Sequence, residues 1–311
     1  METSHSYKLS YVLTTYNKLP ALKATLTRLL ESVQPDEEII VVDGKSTDGT
    51  AEYLRGLHQS GLIHQFMSER DCNQAHGTNK ALLAARGELI KILTDDDAYH
   101  WPGIQACKQF MLAHPEADAL GTDGALVATR KEQPPVFTAT RPVFEKYLAN
   151  RQEYSFGDLG LMLRRSSLAL TGLFDPRYVL LDAEFTLRLT SGPARLAWYT
   201  GCVWARILNP RSTSLMRFES VRDDYIRLRR YYSVIHRQPS LLVALRDCAR
   251  TVFRPVKRRW LPADPSEMFP GSSTTDPPPE WPRLLQRGED LLAERNRAAG
   301  GEFLFGPNKA T

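Results

Sequence analysis

Apolar and polar positions change rhythm repeatedly over the first third of the chain. Leu9-Ser10-Tyr11-Val12-Leu13 is a short, nearly unbroken apolar run, the pattern of a strand buried on both faces. After Thr14-Thr15-Tyr16-Asn17, Pro20 suits the first turn of a helix, and Leu22, Leu26, Leu29 and Leu30 recur at helical spacing. Glu38-Ile39-Ile40-Val41-Val42 returns to the strand pattern and stops at Asp43-Gly44. Lys45 to Thr50 has turn and cap chemistry and opens a helix through Leu54. Leu62 to Met67 reads as a third strand, Asn73 to Ala85 as a helix ended by Gly87, and Ile90 to Leu93 as a fourth strand. Beyond it the pattern predicts a helix over Trp101 to Ala113, stopped before Pro115. A strand and hairpin are expected around Gly121-Thr122-Asp123-Gly124. A core strand is expected over Leu159 to Leu163, a helix carrying Phe185 and Leu189, and a strand from Val203 to Leu208. Residues 131 to 155, with Pro134, Pro135 and Pro142, read as an irregular loop.

Strands alternating with helices predict an α/β fold with a mainly parallel central sheet and helices on both faces. Right-handed crossovers then set the C-terminal ends of the strands along one edge, where open α/β sheets bind ligands. Three features follow strand ends: Thr14 to Asn17, Asp43, and the triplet Asp95-Asp96-Asp97. Adjacent carboxylates repel and need a cation or solvent between them. Mn²⁺ or Mg²⁺ suits such oxygen ligands and commonly takes one or two carboxylates plus phosphate oxygens. A solvated acidic turn is the plainer alternative for the triplet. Neither a GxGxxG after the first strand nor a GxxxxGK[ST] loop is present, so a bound nucleotide would rest on the acidic strand ends and a metal.

Composition narrows the class only a little. With 42% hydrophobic and 24% charged residues the chain is ordinary globular protein, and a net charge of +4 over 311 residues gives no argument for nucleic acid. The charge is uneven, however: Arg217 to Arg259 carries 12 Lys or Arg against 4 Asp or Glu. Cys72, Cys107, Cys202 and Cys248 are far apart and form no CxxC pair, which fits a reduced, cytoplasmic compartment. The polar start of the chain lacks the apolar core of a signal peptide, and no apolar run reaches membrane-spanning length.

Ser10 to Asn17, Val41 to Thr50, Ser68-Glu69-Arg70-Asp71 with Asn79-Lys80, and Leu93 to Asp97 together resemble the motifs of family 2 glycosyltransferases, in that family's order and spacing. The resemblance covers roughly residues 8 to 215 and implies the GT-A fold, a nucleotide-sugar donor and inverting transfer. It places Asp43 against the nucleoside, where a carboxylate accepts from a base N–H or a ribose hydroxyl. Thr14 and Tyr16 become candidates for the base pocket, although Tyr16 equally suits edge packing. Arg70 becomes a phosphate contact or a surface ion-pair partner. The metal motif maps onto the triplet, with Asp97 the direct ligand and Asp95 or Asp96 toward the ribose. Asp182 lies at the start of a helix, where the dipole favours an ionised carboxylate, and matches the family's general base. The preceding residue is Leu181 where many members carry Glu, and the His-Gln pair common near Asp158-Leu159 is missing. Arg211, after the strand to Leu208, is a candidate diphosphate clamp.

After residue 215 the resemblance fades. Leu241, Leu245, Cys248, Val252 and Val256 follow helical spacing with Arg246, Arg250, Arg254 and Lys257 on another face. Such a helix suits either an anionic membrane surface or packing on the catalytic domain. The expected division is a GT-A domain over 1–215, a basic helical extension over 216–261, and a Pro-rich linker, short helix and frayed tail over 262–311. The whole predicts an inverting, metal-dependent glycosyltransferase of the cytoplasm, peripheral at most to the membrane. A UDP-sugar is the favoured donor and a carbohydrate or lipid-linked hydroxyl the acceptor, in cell-envelope or extracellular polysaccharide synthesis. The rivals are a non-catalytic nucleotide-sugar-binding scaffold and a sugar nucleotidyltransferase.

Overall fold

The structure, a computed structural model, describes residues 7–129, 133–208, 212, 216–236 and 280–306. Asn209 to Arg211, the basic run from Leu241 to Lys257 and most of the Pro-rich stretch therefore lie outside the described residues.

Strands β1 (Leu9–Thr15), β2 (Glu37–Asp43), β3 (Gln65–Ser68) and β4 (Leu89–Leu93) pair in parallel in the order β4-β1-β2-β3. Between them run helices α1 (Leu19–Ser32), α2 (Thr50–Gln59) and α3 (Gln74–Ala84). Strand alternation sorts the side chains. Leu9, Tyr11, Leu13, Ile39 and Val41 pack with Leu22, Leu26 and Leu54 on one face. Val12, Ile40 and Val42 pack with Ala81 and Leu82 of α3 on the other. Both faces are covered, which is why the strands read as apolar runs.

The second half of the sheet is mixed. The short β5 (Ala98–Tyr99) leads into α4 (Trp101–Ala113) and then β6 (Ala119–Ala128). Next come β7 (Val136–Phe137), α5 (Arg141–Asn150), a 3₁₀ turn at Asp158–Gly160, and β8 (Met162–Arg164). The helical turn α6 (Leu168–Thr171), helix α7 (Leu181–Ser191) and the long β9 (Leu196–Leu208) follow. β8 is antiparallel to both β4 and β6, and β6 runs parallel to β9.

Several expectations need correction here. The glycines of Gly121-Thr122-Asp123-Gly124 do not make a hairpin; β6 continues through them with an irregular register against β9. A Cβ on Gly121 would sit 2.2 Å from the Trp198 ring, and one on Gly124 2.2 Å from Trp204, so these glycines make room for two tryptophans of β9. Residues 131 to 155 are not wholly irregular, because Pro142 starts α5, whose Phe144 and Tyr147 are buried against Trp198. The third strand begins at Gln65, while Leu62 lies in the preceding turn and is 47% exposed.

Helix α8 (Phe218–His236) follows β9, and α9 (Trp281–Ala299) with strand β10 (Phe303–Leu304) lies further along the chain. The expected frayed tail is instead ordered at residues 303 and 304, because β10 pairs antiparallel with Trp198 and Tyr199 of β9 and Phe303 stacks on Phe110 and Tyr199. α9 joins Trp281, Leu285 and Leu292 to Ala98, Ala205 and Ile207 in an apolar cluster. Its closest approach is at Gly288, where a Cβ would meet that of Ala98 at 2.6 Å. Gly288→Val should therefore cost about 1–3 kcal/mol of stability through overpacking, read from urea unfolding. An unchanged midpoint would mean that α9 can lift away from β5 and β9 freely.

Candidate active site

The parallel register sets the site. Thr15 stands opposite Asp43 across β1 and β2, and Leu13 opposite Leu93 across β1 and β4. The ends of β2, β1 and β4 thus bring Asp43, Thr15 and the Asp95 triplet into one row at the C-terminal edge. The Thr15 hydroxyl donates to Asp95 Oδ2 at 2.7 Å, closing that row.

Asp43 is fully buried and held firmly. Its carboxylate accepts from the Ser46 N–H at 3.1 Å, from the Ser46 hydroxyl and from the Ser68 hydroxyl at 2.7 Å. Thr14 is half-buried beside it, and Tyr16 is 60% exposed with its ring edge near Gly44, a surface a flat ligand could use. Asp95 and Asp96 share one cation, the Lys18 ammonium, at 3.0 and 2.8 Å. Burial alone would lower the pKa of Lys18, but these carboxylates outweigh it and raise it. Burial raises Asp95 as well, against the pull of Lys18.

Asp97 is fixed from two sides: Oδ1 accepts the Ile207 N–H of β9 at 2.8 Å and Oδ2 the Thr94 hydroxyl at 2.6 Å. Burial, with the charge of Asp96, pushes its pKa up to about 7. Each oxygen keeps a second lone-pair direction. A buried carboxylate held up in pKa beside another acid suits a hard cation, so the residues present fit Mn²⁺ or Mg²⁺. Among the described residues no three His, Cys, Asp or Glu side chains form a ready cage, so diphosphate oxygens would have to complete the coordination.

Asp182 stands in the first turn of α7, whose N-cap is Leu180, so it is not the capping residue. Its Oδ1 accepts the Ala183 N–H at 2.8 Å. Burial raises its pKa, while the positive charge of Arg206 on β9 opposes the rise. The same guanidinium acts on Asp97 and on Asp158. Arg206 therefore ties the metal candidate and the base candidate to one place.

Three charged residues of this edge escaped the sequence reading: Lys18, Asp158 and Arg206. Asp158 is buried in the 3₁₀ turn, where burial and then the charge of Asp182 push its pKa up to about 7. Arg206 sits in an apolar strand, and that lone cation was the signal available. Of the remaining candidates, Arg70 is exposed while its neighbours Glu69 and Asp71 pair with Lys80 at 2.8 and 2.7 Å, so it is not the surface ion pair considered for it. Arg211 lies outside the described residues.

An α/β sheet with acids at the C-terminal ends of its parallel strands and a carboxylate at a helix start belongs to the class of open α/β folds whose ligand site lies at that edge. The profile of glycosyl transferase family 2 matches residues 10–163, and the chain belongs to this family. A "PGL/p-HBAD biosynthesis glycosyltransferase" of Mycobacterium bovis is 25% identical over 200 residues, covering 63% of this chain and 75% of the relative. The "putative teichuronic acid biosynthesis glycosyltransferase TuaG" of Bacillus subtilis is 30% identical over 105 residues, covering 33% of this chain and 42% of the relative. Among solved structures, the mannosyltransferase PcManGT from Pyrobaculum calidifontis, in complex with GDP-Man and Mn²⁺, superposes with a TM-score of 0.52. It is 21% identical, and the match covers 72% of this chain but only 65% of that one. The shared architecture is the GT-A fold.

Proposed function

We propose that the chain is an inverting, metal-dependent glycosyltransferase that moves a sugar from a nucleoside-diphosphate donor to an acceptor hydroxyl. The observation that carries this is that Asp97, Asp158 and Asp182, from three separate segments, share the positive charge of Arg206, next to Asp95 and Asp96 on Lys18 and along the same strand edge as Asp43. Thr14 and Tyr16 line the nucleoside side, with Asp43 held by Ser46 and Ser68 to receive a base N–H or a ribose hydroxyl. Asp95 or Asp96, oriented by Lys18, faces the ribose. Asp97 would hold the cation, with Arg70 and Arg211 candidates for the diphosphate. A bound divalent ion would neutralise the leaving diphosphate.

Asp182 takes the proton. Oδ1 is engaged by Ala183, so Oδ2 receives the hydrogen of the acceptor hydroxyl. The acceptor oxygen forms its bond to the anomeric carbon as the bond to the diphosphate oxygen breaks on the opposite face. That electron pair leaves with the nucleoside diphosphate, and the configuration inverts. The positive charge of Arg206 favours the ionised form of Asp182 against the effect of burial.

The relatives' names support work on a cell-envelope glycoconjugate. None of the helices among the described residues is long and apolar enough to cross a membrane. Tyr225, Ile226 and Tyr231 are exposed on α8 among Arg229 and Arg230, which supports peripheral contact with an anionic lipid surface. Free Cys107 and Cys202 suit a reducing cytoplasm.

The test is incubation with a panel of nucleotide sugars and Mn²⁺, UDP-sugars first, followed by chromatography of the nucleotide product. Nucleoside diphosphate release is expected, at a rate that EDTA suppresses. Pyrophosphate release would instead mark a nucleotidyltransferase, and no turnover of any donor would favour a binding scaffold.

A further inference from the structure

The segment leading to Asp158 is stitched to the helix of the candidate base. Thr186 and Thr190 lie one turn apart on α7. The Thr186 hydroxyl accepts the Phe156 N–H and donates to the Phe156 carbonyl, both at 3.0 Å, its one proton shared with the Asp182 carbonyl at 2.8 Å. The Thr190 hydroxyl does the same for Tyr154, at 3.2 and 2.9 Å. One helical turn rises about 5.4 Å and two extended residues about 6.6 Å, so the two repeats keep step. The extended chain is thereby led along α7 to Gly157, where a Cβ would stand 3.8 Å from Asp182 Oδ2. From the opposite side the buried Lys91 of β4 donates to the carbonyls of Leu159 and Leu161, at 3.2 Å for the latter. Asp158 is therefore clamped between α7 and the central sheet, next to Asp182 and within the field of Arg206.

We infer that Asp158 is a positioning residue for the reaction, a second carboxylate that acts on Asp182 and competes with it for the positive charge of Arg206. The inference rests on the reading of Asp182 as the base. The charged and titratable groups facing Asp158 are Asp182 on α7, Arg206 on β9, Lys91 on β4 and Tyr99 on β5. The two carboxyls titrate as a coupled pair. When Asp158 loses its proton, the added negative charge strengthens the hold of Asp182 on a proton, and a stronger base accepts the acceptor's hydrogen more readily.

Two measurements test this. Carboxyl ¹³C titration of the whole protein should place Asp158 near neutrality, and Asp182→Asn should lower its midpoint by roughly one unit. An Asp158 midpoint that ignores Asp182→Asn overturns the inference and leaves the base assignment standing, because no turnover is involved. With a donor from the nucleotide-sugar panel, the wild-type rate should rise in two steps on the acid side. Asp158→Asn should remove the step nearer neutrality and lower the alkaline plateau roughly threefold to tenfold, with donor KM unchanged. A merely structural role predicts a uniform loss at every pH with both steps kept, and that result also overturns the inference. Should Asp158→Asn not fold, the titration decides alone.

Discussion

Asp182→Asn should cut turnover by about 10²- to 10⁴-fold, the usual worth of a positioned general base. Asparagine keeps the shape and still accepts the Ala183 N–H through Oδ1, so the first turn of α7 has no reason to unwind. What it loses is the ability to hold the acceptor's proton. Donor affinity should stay close to wild type, because the nucleoside side is built from the ends of β1, β2 and β4 rather than from α7. The pair of measurements is nucleoside diphosphate release at saturating donor and calorimetric titration of the donor. Turnover at the wild-type level would remove Asp182 from the chemistry. Equal loss of binding and rate would mean that it belongs to the donor pocket.

The second large effect is at Asp97. Asp97→Ala removes the candidate ligand together with the acceptor for the Ile207 N–H and the Thr94 hydroxyl. Leaving those donors unmatched costs about 1–3 kcal/mol of stability in its own right. Asp97→Asn separates the two consequences, because its amide oxygen still receives the Ile207 N–H while the negative charge is gone. Both variants should lose at least about tenfold to a hundredfold of the donor affinity gained on adding Mn²⁺, since even residues behind a ligand cost that much. In EDTA all three proteins should bind the nucleotide equally weakly. Wild-type protein that binds donor as tightly in EDTA as in Mn²⁺ would refute the metal assignment outright.

Much of the strand-end half of the candidate site was legible because its side chains follow strands with plain apolar patterns. Val41, Val42 and Asp43 are adjacent in sequence, as are Leu93 and the triplet, so finding the strands found the acids. The parallel order β4-β1-β2-β3 then required them to lie in a row. The half around α7 and β9 was less legible, because there the partners are distant and the backbone is antiparallel or bulged. Asp158 is brought to Asp182 by the clips of Thr186 and Thr190, ordinary residues whose hydroxyls gain meaning from the extended segment beside them, and by Lys91 from the sheet. Arg206 lies inside the strand expected over Val203 to Leu208, but an apolar pattern does not show which acids its charge will act on. Gly121 and Gly124 imitated a turn because glycine serves both turns and close packing, and only Trp198 and Trp204 reveal which. Lys18 stood beside Pro20 as an unremarked surface cation until the fold of α1 set it over Asp95 and Asp96.

The sheet's final strand has a bearing on how the molecule is made. β9 offers its outer margin near Trp198 and Tyr199 to β10, and that partner is encoded about a hundred positions later, at Phe303 and Leu304. On the ribosome the catalytic core can assemble well before those residues appear. For that interval the margin stays open, with unpaired backbone groups beside aromatic rings, the sort of surface that recruits a neighbouring nascent chain. Synthesis slowed between the two strands would lengthen the exposure, and a chaperone that shields bare strand margins would have its moment there.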